Sequence, residues 1–222
     1  QSEYTDKVKA SYKEYNDAAI VVFSRSCGEG ADLPRNMDRF GGGSESYLEL
    51  NQDEKDLLTA VKEAGFKKTI VILHSANPMQ MDFLKDDYGI DSVLWVAGTG
   101  AGDGGIKALC EIIAGDANPS GRLVDTYCYD NFSSPAMANF GDFRYVDSTG
   151  NPTGYSYINY AEGIYIGYKY YETRYEDKVL GQGNTSDYQY SADVCYPFGY
   201  GLSYTDFKWS DFEVKYNEKN QK

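Results

Sequence analysis

Histidine and paired cysteines, the side chains of most zinc sites, are scarce in this sequence of 222 residues. It contains one histidine, His74, and four cysteines with no Cys-x-x-Cys pair among them (Cys27, Cys110, Cys128 and Cys195). Structural zinc sites use about four such ligands at short spacings. We therefore expect no metal and no cofactor, and we interpret the cysteines as free, mostly buried thiols.

Positive charge is also in short supply, because 21 Lys and Arg stand against 34 Asp and Glu, for a net charge of −13. A surface this acidic repels phosphate backbones, so nucleic acid is not an expected partner. No apolar run approaches the ~20 residues that a membrane-spanning helix needs. We expect no direct membrane contact from this segment. The sequence leaves open whether the protein works in the cytoplasm or outside the cell.

Short apolar segments alternate with helical patterns through the first half of the chain. Residues 18–23, 69–74, 92–96 and 122–127 are apolar enough to be strands buried on both faces. Strands separated by helices are typical of a parallel sheet that helices cover. The sequence thus predicts an α/β fold: a layered α/β/α sandwich with a mostly parallel sheet, followed by aromatic-rich loops and a short β segment.

One helix carries clear start and stop signals. Asn51, followed by Glu54 three residues later, is a capping-box pattern, and Gly65 is a stop signal for the same helix. A stretch of about twenty residues before it is rich in Gly, Asp, Asn and Ser, which predicts a long loop of functional importance or high mobility. Further predicted elements are helices over residues 5–16, 79–84 and 104–114 and a strand-like aromatic run over residues 155–171.

Glu29 stands between Gly28 and Gly30, directly after the first predicted strand. Ligand sites in open α/β sheets form beyond the carboxyl ends of the strands. Flanking glycines give the backbone conformations that are closed to other residues, so this carboxylate can be aimed into a cleft. Glu29 is therefore the first candidate for chemistry, against the alternative of a solvated loop glutamate.

A glycine-rich turn offers a competing hypothesis. Residues 100–105 satisfy the G-x-G-x-x-G pattern between a predicted strand and a predicted helix, and Asp125 lies twenty residues beyond its last glycine. That arrangement is typical of dinucleotide binding. However, Asp103 would set a negative charge beside the phosphates, and Asp125 does not end its predicted strand. A turn required for packing is the alternative that we favour.

Several segments together resemble the C-terminal α/β sandwich domain of glycoside hydrolase family 3, the β-glucosidase and β-xylosidase group. They follow the family's order and span residues 18 to 205. The segments are Ser-Cys-Gly-Glu-Gly-Ala-Asp at 26–32, Val-Leu-Trp at 93–95, Gly-Asp-Ala-Asn-Pro-Ser-Gly-Arg-Leu at 115–123, Tyr-Ala-Glu-Gly-Ile-Tyr-Ile-Gly-Tyr-Lys-Tyr at 160–170 and Tyr-Pro-Phe-Gly-Tyr-Gly-Leu-Ser-Tyr-Thr at 196–205. On this basis residues 1–205 form that domain without its first part, and residues 206–222 begin a β-rich, fibronectin III-like extension that is cut short.

The resemblance implies a retaining hydrolase that removes terminal β-linked sugars from a carbohydrate substrate. In the family this domain supplies the acid/base glutamate, and Glu29 occupies the matching position. The aspartate nucleophile comes from a separate (β/α)8 barrel domain, which is the expected partner within the full-length protein. We expect the isolated chain to be inactive. Arg25, Asp32 and Arg39 are candidates for orienting Glu29 or touching sugar hydroxyls, with mutual charge pairing as the alternative.

Other polar residues are weaker candidates, and a second class of function stays open. Glu162 is expected to have a structural hydrogen-bonding role. A hydrolase triad of Ser203 and His74 is not favoured, because Ser203 lacks the Gly-x-Ser-x-Gly elbow. In the family pattern an Asp-Arg pair follows the Gly-Glu-Gly segment directly. Here Leu33 follows Asp32, so either Asp32 or Arg39 could be the residue that matches this Asp-Arg pair. The alternative function is a non-catalytic carbohydrate-binding or scaffolding module with the same fold.

Overall fold

A three-stranded parallel sheet is the central element of the protein. In it β1 (Ala19–Arg25), β2 (Thr69–Ser75) and β3 (Ser92–Trp95) lie in sequence order. β1 and β2 pair along their whole length, so both carboxyl ends finish at the same edge of the sheet. The prediction of an α/β fold with a parallel sheet is confirmed. The computed structural model describes residues 4–26, 30, 33–43, 45–141, 143–185 and 187–215.

Three helices accompany the sheet: α1 (Asp6–Ser11), α2 (Gln52–Ala64) and α3 (Asp103–Ala114). The capping box predicted for α2 is present, because the Asn51 side chain accepts from the Glu54 amide and the Glu54 carboxylate accepts from the Asn51 amide. Gly65 ends α2 in the left-handed region at φ 72°. α1 is shorter than predicted, and its apolar positions are not buried.

The main core lies between α2 and one face of the sheet. Leu58 of α2 is fully buried there, and its neighbours along the helix, Leu57 and Val61, are partly buried. Alternation along β1 directs Val21 and Phe23 into this core, whereas Ile20 and Val22 point to the opposite face and stay 50% and 54% exposed. The other buried members are Leu50, Val71, Leu73, Met79, Met81, Phe83 and Tyr127.

The second half of the chain is built from short elements. β4 (Tyr127–Cys128) pairs antiparallel with β7 (Val194–Tyr196), and β5 (Arg144–Val146) pairs antiparallel with β6 (Pro152–Ser156). These antiparallel pairs confirm the predicted short β segment near the end of the chain. The helices of this half are α4 (Pro135–Ala138), α5 (Tyr168–Leu180) and α6 (Tyr190–Asp193). Short 3-10 helices cover Asp38–Phe40, Asp82–Lys85 and Asn131–Ser133.

Two predicted elements differ from the structure. Residues 122–126 are not a strand of the parallel sheet, because Leu123 exchanges backbone hydrogen bonds with the turn at residues 199–200 instead. The aromatic run at 155–171 is not one strand either: β6 ends at residue 156 and α5 begins at residue 168. Tyrosine is suited to a pleated surface, but the end of this run lies in α5, where the Tyr171 ring is buried.

The chain exposes more surface to solvent than a compact monomer of the same mass does. The chain exposes 15829 Å², whereas a compact monomer of 24.8 kDa exposes roughly 10,000 Å². The uncovered face of β1 and the exposed aromatic side chains of the second half both contribute. No helix within the described ranges is long and apolar enough to cross a membrane.

Candidate functional site

The carboxyl end of β1 is fixed by a buried arginine. Only 3% of the Arg25 side chain is exposed, and its guanidinium donates to both carboxylate oxygens of Glu54 at 2.7 and 2.6 Å. It also donates to the backbone carbonyls of Ser24, Tyr47 and Glu49. Such a bidentate pair is geometrically specific as well as strong. Arg25 therefore joins the end of β1, the start of α2 and the loop between them into one unit.

Tyr47 holds the residue that follows β1. Its hydroxyl accepts from the Ser26 amide at 3.0 Å and donates to the Ser26 carbonyl at 2.9 Å. The same ring is 4% exposed and lies under the Arg25 guanidinium, 5.7 Å from its carbon. Ser26 is three residues before Glu29. The described chain is thus fixed by hydrogen bonds up to Ser26, two residues before the Gly-Glu-Gly segment begins.

The long loop between β1 and α2 has a small core of its own. Met37, Tyr47 and Leu48 are buried together, with Leu33 partly buried against them. An isolated antiparallel bridge between Asn36 and Ser46 closes this loop at its base. The prediction of a functional or mobile loop is therefore refined for the described part, which is a packed platform beside the end of β1.

Some of the predicted site residues belong to the described part of the chain, and others lie outside it. Glu29, Asp32 and Cys27 lie outside the described residues. Arg25 is described and directed inward, toward Glu54. Arg39 is described and exposed, in the 3-10 helix Asp38–Phe40.

A polar cleft opens on the platform. It has a volume of about 460 Å³ and is lined by Arg35, Asn36, Glu45, Ser46, Glu49 and Phe132. Gln80 joins its two walls: the Gln80 backbone N–H donates to the Leu48 carbonyl at 2.8 Å, and the Gln80 side-chain oxygen accepts from the Asn131 backbone N–H at 3.0 Å. Gln80 itself is 8% exposed. Hydrogen bonds therefore join the two walls of the cleft, which are not two independent loops.

The weaker candidates have structural partners. The His74 ring lies 3.2 Å from the Ser24 hydroxyl, across the β1–β2 pair. Ser203 donates to the Asn118 side chain at 3.0 Å, and Glu162 accepts from the Asn139 side chain at 3.1 Å. The expected hydrogen-bonding role of Glu162 has a partner in the structure. Ser203 and Glu162 thus join loops of the second half.

The glycine-rich turn is closely packed at its last glycine and open at the others. Gly102 caps α3, and a Cβ atom on Gly105 would collide with the backbone of Thr99. Asp125 lies in a bend before β4, and β4 is antiparallel to its partner. The strand that would carry the ribose-binding carboxylate in a dinucleotide fold is therefore not present after α3 in the described chain. Packing accounts for the glycine at position 105.

Titratable side chains with clearly shifted pKa values lie mostly around β4 and β7. Burial raises the pKa of the Cys128 thiol to about 12 and that of the Tyr196 phenol to about 12. Burial likewise raises the pKa of Tyr171, whose hydroxyl is 2.8 Å from that of Ser133. These groups are neutral at pH 7 and serve as packing. In the part of the chain that is described, no cluster of three His, Cys, Asp or Glu side chains could hold a metal ion.

Comparison with known proteins matches this fold and its motifs to one family. The family model described as "Glycosyl hydrolase family 3 C-terminal domain" matches residues 2–168. The chain belongs to this family. It is 33% identical over 199 residues to the beta-glucosidase of Ruminococcus albus, covering 89% of this chain and 17% of that protein. It is 31% identical to beta-glucosidase A of Butyrivibrio fibrisolvens, covering 95% of this chain and 24% of that protein.

Solved structures agree with the family assignment. A beta-glucosidase from Paenibacillus barengoltzii superposes with a TM-score of 0.68 at 28% identity, over 97% of this chain and 20% of that one. A beta-D-glucoside glucohydrolase from Trichoderma reesei superposes with a TM-score of 0.53 at 26% identity, over 91% of this chain and 24% of that one. The chain thus spans between 17% and 24% of the length of these glycoside hydrolases.

Sequence reasoning missed two residues that support the site. Glu54 was assigned only to the capping box, yet its carboxylate also receives the Arg25 guanidinium. The sequence carries no signal for this pair, because it does not show that Arg25 is buried and so in need of an acidic partner. Tyr47 carried no signal either. Its role depends on a chain reversal that brings it back to Ser26.

Proposed function

We propose that Glu29 is the general acid/base of a retaining, exo-acting β-glycosidase, and that its nucleophile lies in a separate (β/α)8 barrel domain of the full-length protein. The observation that carries this proposal is membership of the glycosyl hydrolase family 3, together with a Gly-Glu-Gly sequence at residues 28–30, three residues beyond the end of β1. Relatives and a structural neighbour of the chain are named as beta-glucosidases. The proposed substrate is therefore a terminal β-linked glucoside.

The described contacts support a positioning role for the residues before Glu29. Retaining hydrolysis needs two carboxyl groups about 5–5.5 Å apart. Glu29 must therefore reach the same distance from the nucleophile in every turnover. Arg25 and Tyr47 fix the carboxyl end of β1 and Ser26, the last described residue before Glu29. Arg25 acts as a positioning residue through Glu54 and does not touch substrate in this proposal.

The open surface supports a docking partner. The excess of exposed area over a compact monomer is several thousand Å², which is larger than the ~800 Å² that one partner contributes to a standard interface. A barrel domain within the same polypeptide would cover part of it.

We also propose that residues 1–205 form the sandwich domain and that residues 206–222 begin a β-rich extension. Residues 206–215 form no strand in the structure, and Phe207, Trp209 and Phe212 in them are highly exposed.

The test is hydrolysis of 4-nitrophenyl β-glucoside and of cellobiose by the full-length protein and by Glu29→Gln. An acid/base glutamate protonates the leaving oxygen. Nitrophenolate leaves without that proton and the glucose unit of cellobiose does not. The variant should therefore lose about 10² to 10⁴ in kcat/KM for cellobiose and much less in kcat/KM for 4-nitrophenyl β-glucoside, because kcat/KM reports the step in which the leaving group departs. Equal and small losses on both substrates would contradict the proposal and favour the non-catalytic binding module.

A further inference from the structure

We propose that one face of the β5–β6 hairpin binds a neutral β-glucan chain through four aromatic rings. The rings belong to Phe143, Tyr145, Tyr155 and Tyr157. The acid/base role of Glu29 does not require this surface. The choice of ligand rests on the proposed function, because a β-glucan ends in the terminal β-linked glucoside that is the proposed substrate.

The four rings lie on the same side of the hairpin. Side chains two positions apart in a strand point to the same side, so Phe143 shares a side with Tyr145, and Tyr155 shares one with Tyr157. The Tyr157 amide donates to the Phe143 carbonyl at 3.0 Å, which extends the pairing beyond the two strands. Across the strands the Tyr157 ring centroid lies 5.5 Å from that of Phe143 and 5.0 Å from that of Tyr145. The rings therefore form one aromatic face.

This aromatic face is open to solvent in the described chain. Every residue from 144 to 160 is exposed. Tyr145, Tyr155 and Tyr157 are 55%, 73% and 42% exposed. A two-stranded hairpin is marginally stable at best by itself in water. A ligand that covers the rings would therefore stabilise the hairpin as well as bind to it.

The chemistry of the aromatic face fits a neutral sugar polymer. Residues 143–160 contain one arginine and one aspartate, so their charges cancel, within a chain of net charge −13. A charged polymer would therefore find no excess of opposite charge on the hairpin. Rings offer flat surfaces to the C–H faces of sugars, and the phenol hydroxyls can bond to sugar hydroxyls.

The same hydroxyls favour a glucan over a protein as the occupant. Within the described residues, the hydroxyls of Tyr145, Tyr155 and Tyr157 make no hydrogen bond. A protein partner that buried them would have to supply a polar group to each one, because a buried polar group without a partner is costly. A glucan carries hydroxyls along both edges of the chain and meets this requirement at every sugar unit.

The turn of the hairpin is held by side-chain hydrogen bonds. One carboxylate oxygen of Asp147 accepts from the Thr149 amide at 2.8 Å, from the Thr149 hydroxyl at 2.6 Å and from the Asn151 amide at 3.0 Å. The Thr153 hydroxyl donates to the Tyr145 carbonyl at 3.1 Å. A surface that is ordered before its ligand arrives loses little conformational entropy on binding.

The experiment measures the affinity of the full-length protein for soluble mixed-linkage β-glucan, by native electrophoresis in gels with and without the polymer. The polymer should retard the wild type. The double variant Tyr145→Thr/Tyr155→Thr removes two rings but keeps residues suited to a strand, and its affinity should fall by about tenfold. Val146→Thr is the matched control, because Val146 is an exposed residue of the same hairpin on the opposite side. It should be retarded like the wild type.

The outcomes separate the aromatic face from the proposed function. Absence of wild-type retardation, equal retardation of the wild type and the double variant, or an equal loss in Val146→Thr would each overturn the assignment. If the double variant unfolds at a lower urea concentration than Val146→Thr, the rest of the polypeptide covers the face, and the assignment is again overturned. A parallel loss in kcat/KM for 4-nitrophenyl β-glucoside would trace the effect to the catalytic centre and overturn it too. A wild type that is retarded but hydrolyses no glucoside would refute the proposed function alone, because retardation needs no turnover.

Discussion

Removing the guanidinium of Arg25 should destabilise the protein more than almost any other single substitution at the carboxyl end of β1. Arg25→Met keeps much of the buried volume but leaves the Glu54 carboxylate, 19% exposed, without its bidentate partner. It also leaves the Tyr47 and Glu49 carbonyls without a donor. Breaking a buried pair by removing one partner costs about 3–5 kcal/mol. We expect a loss of that size in the free energy of unfolding.

Urea denaturation at pH 7, followed by circular dichroism, measures this loss. With an m-value of about 2 kcal/mol/M, the midpoint should fall by about 1.5–2.5 M. Arg39→Met is the matched control, because Arg39 is an exposed arginine of the same loop, and its effect should stay within about 0.5 kcal/mol. A double-mutant cycle with Glu54→Gln should give a coupling of about 1–3 kcal/mol. Equal midpoints for the two arginine variants would refute the argument that Arg25 anchors this edge.

Two further predictions concern ionisation. A thiol reagent at pH 8 should label Cys110 rapidly and Cys128 only after unfolding, because Cys110 is exposed whereas burial raises the pKa of Cys128 to about 12. Mass spectrometry measures the labelling of each cysteine. Fast labelling of Cys128 in the native protein would contradict the burial of β4. Burial also raises the pKa of Tyr127 and Tyr171 above the ordinary value of 10.0. Below that pH neither state loses these protons. Above it the unfolded chain ionises first, so the free energy of unfolding should fall by up to about 1.4 kcal/mol per pH unit for each tyrosine. A urea midpoint that stays constant between pH 9 and pH 11 would count against this.

The elements that follow from local physics could be predicted from the sequence. The capping box of α2, its glycine stop and the apolar runs of β1 to β3 are signals contained within a few residues, and the structure confirms them. The antiparallel pairing of β4 with β7 could not be predicted, because the two partners are separated by more than sixty residues. Residues 122–126 look like a strand, but Leu123 finds its hydrogen bonds in a distant turn.

The candidate site shows the same division between local and long-range information. Glu29 could be singled out because glycines flank it and a strand precedes it. The support around it depends on residues that are distant in sequence. Tyr47 returns to Ser26 across twenty-one positions, and Asn131 joins Gln80 across fifty-one. No periodicity or spacing rule connects such pairs, so the polar cleft could not be predicted from the sequence.

Rescue of a Glu29 variant by azide tests the acid/base role most directly. The full-length Glu29→Gly protein should form the glycosyl intermediate from 4-nitrophenyl β-glucoside but release it slowly, because no base activates water. Azide attacks without a base, so it should raise the turnover rate in a concentration-dependent manner and yield β-glucosyl azide, identifiable by NMR. If azide leaves the rate unchanged and no glucosyl azide forms, Glu29 is not the acid/base.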